Sequence, residues 1–183
     1  PVSDQAINKA IERLNISAKA LEQNPEIKSH LKEYIRLTGF TLDNVKTLDY
    51  LRDRAYAQKG TGTVNIGKGR KNKTANKAVL FHELSHFYEY QNDLARNAAN
   101  KWMRNKADEY AGSSNTQPKK LKDRTGNPNY RDDELAYKDT FLDPYVGKTY
   151  AHKGSDTTEV ISMGVEHFSS PLKMLELYGK DAS

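Results

Sequence analysis

Apolar residues recur at Ile7, Ala10, Ile11, Leu14, Ala18 and Leu21, the alternating three- and four-residue spacing of one helix face. Ser3 stands just ahead of them, where its hydroxyl can cap the first turn. A second stripe, Ile27, Leu31, Tyr34 and Ile35, predicts another helix, with Asn24-Pro25 as N-cap and first residue and Gly39 as its stop. Val45, Leu48, Leu51 and Ala55 carry helical spacing onward from about Asp43 to Tyr56. Residues 1–58 thus read as a helical subregion with a structural role. At Gly60-Thr61-Gly62-Thr63-Val64-Asn65-Ile66-Gly67 the period changes. Polar and apolar residues alternate inside glycine punctuation, which predicts one short strand.

A basic loop from Lys68 to Thr74 follows, with Thr74 as the N-cap of a helix from Ala75 to about Asn92. The next helix runs from Leu94 to Tyr110, with Leu94, Ala98, Trp102 and Met103 facing inward. Residues 112–133 are rich in Ser, Asn, Lys, Pro and Gly and almost free of apolar side chains, the composition of a long exposed loop, either a lid or an insertion. Beyond it the chain predicts a short helix from Asp133 to Phe141 and a turn at Asp143-Pro144-Tyr145-Val146-Gly147. A helix with an acidic start is expected from Asp156 to Phe168, then a last short one opened by Ser170-Pro171 and ended by Gly179. The expected fold is α+β, mostly helical with a small sheet, in a single domain over residues 1–183. Within it, 60–110 would hold the strand and two helices, and 134–183 the C-terminal helices.

Composition changes this picture little. A length of 183 residues with 36% hydrophobic and 29% charged side chains suits one polar, folded domain. No apolar run approaches the ~20 residues of a membrane span, and no signal peptide precedes the first helix. The abrupt start at Pro1 reads as a processed product or an excised domain. The chain has no cysteine, so a metal would have to be held by His and carboxylate. The net charge of +5 gathers at Lys68, Arg70, Lys71, Lys73 and Lys77, and again at Lys119, Lys120, Lys122 and Arg124. Solvated loops account for such clusters. A basic nucleic-acid-binding module is the alternative they permit, but they are dispersed among loops and no nucleic-acid motif accompanies them.

The segment Val79-Leu80-Phe81-His82-Glu83-Leu84-Ser85-His86-Phe87-Tyr88 contains the chemistry. Histidines four apart share a helix face and can reach one metal ion, with Glu83 beside them as a base for water. The flanks are uncharged, as a buried metal-binding helix needs, because a nearby ammonium would oppose the metal's charge.

This segment resembles the signature of the zincin metallopeptidases. The metzincin subset does not fit, since Glu89 and Asn92 stand where it has Gly and a third His. Thr158-Glu159-Val160-Ile161-Ser162 is similar to the Asn-Glu-x-x-Ser segment of the thermolysin-like gluzincins, which implies Glu159 as third ligand of Zn²⁺ beside His82 and His86. His152, Asp108, Glu109 and Glu166 are its competitors. Met163 stands where those enzymes carry an Asp, so a carboxylate behind the ligands must come from elsewhere or be absent. The resemblance further implies peptide hydrolysis with Glu83 as general base, Tyr150 or His152 as oxyanion donor, and a peptide substrate aligned along an edge strand, Thr63 to Ile66. An inactive zincin-fold binding or effector domain is a further alternative. Small isolated zincin domains serve as effectors, toxins or phage-associated proteins, so a secreted or delivered bacterial or phage protein is the expectation for localisation.

Overall fold

Ser3 caps helix α1 (Asp4–Glu12) by accepting the Ala6 N–H at 3.2 Å, and Ile7, Ala10 and Ile11 are buried beneath it. The structure is a computed structural model and describes residues 1–51, 54–67, 73–138, 141 and 143–175, with the side chains of 73–76 outside that description. The first stripe does not run on to Leu21. The chain instead forms a two-residue strand, β1 (Asn15–Ile16), and restarts at Ser17, which caps α2 (Ala18–Gln23) through the Ala20 N–H. Ala20 is buried there and Leu21 exposed. The break has a backbone cause, because Asn15 and Ser17 donate to the carbonyls of Lys46 and Leu48 at 2.9 and 3.0 Å.

Helix α3 (Ile27–Thr38) buries the whole predicted stripe and ends at Gly39, whose φ of 73° is the left-handed closure that favours glycine. It begins two residues later than expected, with Glu26 as cap, while the Asn24 amide engages His30 Nδ1 at 3.3 Å. Helix α3 packs against α1.

No helix covers Asp43 to Tyr56. The described part of that stretch holds strands β2 (Thr47–Asp49) and β3 (Tyr56–Gln58), and Leu51, placed inward by helical spacing, is 64% exposed. Leu48 and Tyr50 are buried between partly exposed Thr47 and Asp49, a period of two that a short run conceals. Strand β4 (Thr63–Asn65) is the strand predicted between the glycines. The sheet order is β1-β2-β4-β3, with β4 parallel to β2 and antiparallel to β3. Strand β4 is therefore paired on both sides. It has no edge to offer a peptide, and the expected substrate strand Thr63 to Ile66 is corrected on that ground; among the described strands β3 stands last in the order beside it. Gly62 enters β4 at φ +71°, with a Cβ there only 2.6 Å from the Asn44 carbonyl oxygen, so no other residue fits this turn.

Helix α4 (Lys73–Gln91) carries the two histidines. It starts one residue before Thr74, which is inside the helix rather than its cap, and the rest of the basic loop lies outside the described residues. From Leu80 to Phe87 every side chain except His82 is buried, as the uncharged sequence implies. By clustering of the backbone, Pro1–Tyr88 and Val165–Met174 form one compact unit, and Glu89–Gly164 and Leu175–Ser183 a second.

In the second unit, α5 (Asp93–Ala111) buries Ala99, Met103 and Ala107, while Leu94 is 85% and Trp102 44% exposed. Of the residues expected to face inward, Met103 does so, while Leu94, Ala98 and Trp102 do not, and Ala99 and Ala107 complete the buried face. Trp102 lies against Phe141 with ring centroids 5.4 Å apart. Residues 112–133 are not a structureless loop. They contain β5 (Lys119–Lys120) and α6 (Leu121–Thr125), anchored by a fully buried Leu121 and closed by Gly126 at φ +67°. The helix expected from Asp133 is replaced by β6 (Leu135–Ala136), which pairs antiparallel with β5 and with β7 (Lys148–Thr149). A 3-10 turn, Pro144–Gly147, is capped by Asp143, whose Oδ1 accepts the Tyr145 N–H at 2.7 Å. Helix α7 (Val160–His167) starts four residues later than predicted. Pro171 to Leu175 is helical, and the stop at Gly179 lies outside the described residues. Among the described residues no helix is long and apolar enough to cross a membrane.

Candidate metal centre

The pitch of α4 puts the His82 and His86 rings one turn apart, with centroids 5.1 Å apart and planes at 80°. His82 Nδ1 lies 3.2 Å from Glu166 Oε2, so Nε2 is the ring nitrogen that would ligate a metal. Glu166 also accepts from Lys173 Nζ. Burial would raise the Glu166 carboxyl, but its hydrogen bonds to His82 and Lys173 and their positive charge outweigh that and hold it down at about 2. Glu83 and His86 are each 7% exposed. The helix is fixed from behind by Ser85, which donates to the Phe81 carbonyl at 2.7 Å and shares a 3.1 Å hydrogen bond with the Tyr34 hydroxyl of α3. Phe81 meets the Tyr34 ring edge-on at 5.3 Å.

The second unit frames Glu159 directly before α7. Its carboxylate is fully buried, accepting Ser162 Oγ–H at 2.9 Å on Oε2 and the Tyr150 hydroxyl on Oε1. Lys148 Nζ stands 3.8 Å from the same Oε1. Burial first, and then the Glu159 charge, push the Tyr150 hydroxyl well above the ordinary tyrosine range, so it stays protonated and donates. Thr158 is anchored through its N–H and Oγ1, both donating to Glu89 Oε1 at 2.8 and 2.9 Å, and it bridges to Thr149 of β7.

One ligand atom each from His82, His86 and Glu159 lies within 4.8 Å of the other two, close enough for the three residues to hold a metal ion. Two imidazoles and one carboxylate suit Zn²⁺, and the hydrogen bonds on His82 Nδ1 and on both Glu159 oxygens are of the kind that orient such ligands. The competing ligands are engaged elsewhere. Glu166 is paired with His82 Nδ1, the kind of contact that a carboxylate behind a ligating histidine makes. Asp108 Oδ1 accepts the Thr116 N–H at 2.8 Å, and Glu109 pairs with Lys106 at 2.9 Å on the surface. His152 sits exposed on a 3-10 turn, Ala151–Lys153, whereas Tyr150 is turned onto Glu159.

Three residues that frame the site escaped the sequence pattern: Glu89, Glu134 and Lys148. Glu89 stood out only as the residue occupying the metzincin glycine position. Glu134 and Lys148 are buried ions neutralised by each other, and no spacing rule signals a pair brought together by a β-ladder. The chain matches no protein-family model, no curated protein and no solved structure.

Proposed function

We propose that the chain is a zinc-dependent endopeptidase of gluzincin type, with His82, His86 and Glu159 as ligands and Glu83 as general base. The observation that carries this reading is the closeness of three ligand-type side chains on buried, hydrogen-bonded supports, with Glu83 buried between the two histidines in sequence. Zinc bound there would lower the pKa of water toward ~7 and polarise a carbonyl. Glu83 takes the proton as water attacks and delivers it to the leaving amine. Glu166 keeps the His82 ring in one tautomer. Tyr150 clamps the Glu159 carboxylate, and as a buried, protonated hydroxyl it is a better oxyanion donor than exposed His152, provided it exchanges that clamp for the substrate. Among the described strands β3 stands last in the sheet order, and an extended peptide pairing beside it would be aligned by backbone hydrogen bonds.

Metal content and proteolysis of the wild type, Glu83→Ala and Glu159→Ala test the reading together. Glu83→Ala should retain zinc and lose about 10²- to 10⁴-fold in turnover, whereas Glu159→Ala should lose zinc and activity alike. Full zinc occupancy in Glu159→Ala removes Glu159 from the ligand set. Undiminished proteolysis in Glu83→Ala removes the mechanism.

A further inference from the structure

Lys148 is a buried ammonium beside the candidate metal ligand Glu159. Its side chain is 6% exposed, and it lies between two carboxylates that are almost completely buried, Glu134 at 1% and Glu159 at 0%. The ammonium sits 2.9 Å from Glu134 Oε1 and 3.8 Å from Glu159 Oε1. It donates to the Tyr145 hydroxyl at 2.9 Å and lies over the Tyr145 and Tyr150 rings, 4.5 and 4.8 Å from their centroids. The fold fixes this asymmetry. Lys148 opens β7 opposite Ala136, and Glu134 immediately precedes β6, so the β6–β7 ladder delivers ammonium and carboxylate to the same place. Gly147 permits the approach, since a Cβ there would lie 2.3 Å from the Tyr137 carbonyl oxygen.

We propose that Glu134 is a positioning residue for metal binding, drawing the Lys148 ammonium off Glu159 and so reserving that carboxylate for the metal. With Glu134 present, Lys148 pairs more closely with Glu134, at 2.9 Å, than with Glu159, at 3.8 Å, which weakens its hold on Glu159. Without it, Lys148 has one buried carboxylate left to neutralise it, and that carboxylate is the third ligand. Zinc would then have to break a buried ion pair before binding, which low dielectric surroundings make expensive. The pair Glu134–Lys148 therefore acts on the metal through Glu159 and touches neither metal nor substrate.

The inference rests on the zinc reading, and the experiment separates the two. Zinc affinity is measured by competition with a chromophoric chelator at neutral pH, with circular dichroism to establish folding, for the wild type, Glu134→Gln and the double variant Glu134→Gln/Lys148→Met. Glu134→Gln should weaken zinc binding about 10- to 100-fold, the usual scale for a group behind a ligand. The double variant, which removes the competing ammonium as well, should recover most of that loss; with a merely structural pair, the loss of zinc affinity in Glu134→Gln would appear only together with loss of folded circular dichroism signal. If Glu134→Gln alone does not fold, Glu134→Asp, which keeps the charge but withdraws it from Lys148, takes its place: weaker zinc binding by the folded variant supports the proposal, and affinity equal to the wild type's overturns it. Unchanged affinity in Glu134→Gln overturns it, as does a double variant that is unfolded or binds no better than Glu134→Gln. A wild-type chain that binds no zinc overturns the metal assignment and this inference together.

Discussion

Among single residues, Glu166 makes the sharpest prediction. It holds His82 Nδ1 and is itself held by Lys173, so Glu166→Ala should weaken zinc about 10- to 100-fold while the helix and its ligands remain. In the metal-free protein its carboxyl is depressed from 4.5 to about 2, so the stability it contributes is complete above the ordinary value and lost as pH falls toward the folded one. Denaturant curves of wild type and Glu166→Gln should therefore be separated by a constant gap at neutral pH that closes in acid. A gap that instead widens in acid removes that assignment. His82, His86 and Glu159 could be singled out in sequence because α4 puts histidines four apart on one face and because uncharged neighbours frame all three; the structure adds that their ligand atoms lie close enough to hold a metal ion. Glu166 was legible only as a rival ligand, since spacing cannot tell which atom of a carboxylate faces which atom of an imidazole.

Among elements, legibility follows the source of each one's stability. Helix α1 was read correctly at its capping serine and α3 along its apolar stripe to its closing glycine, while the end of α1 and the start of α3 were misplaced. Strand β2 was misread because three residues can satisfy either period, and pairing with β1 and β4 decides between them. The 112–133 region was misread for a related reason: its order comes from backbone pairing and from one apolar side chain, which leaves no periodic trace. Leu121 is that side chain. Leu121→Ala should cost about 2–5 kcal/mol, a large effect for a segment that composition marks as dispensable. Thermal unfolding measures it, and a loss within a few tenths of a kcal/mol would mean that β5 and α6 are held by pairing alone.

For the whole molecule, the α+β class followed from the mixture of periods along the chain. The division into two units did not, because nothing in composition marks Tyr88 or Gly164 as a boundary and both lie within helices. The first unit is discontinuous: it opens with Pro1–Tyr88 and is completed by Val165–Met174, after the entire 89–164 segment. His82 and Glu166 are 84 residues apart in sequence, farther than Tyr34 and Ser85 at 51. Contacts of that separation form late, since the intervening chain must be ordered before they are rewarded. In refolding followed by far-ultraviolet circular dichroism and by a zinc indicator, helix signal should recover before tight zinc uptake does, with Glu166→Ala shortening the lag and lowering the final affinity. Simultaneous recovery of both signals would place the return of Val165–Met174 early. On the zinc reading, tight metal uptake would then report completed folding, because the carboxylate that holds His82 Nδ1 arrives only with the returning segment Val165–Met174.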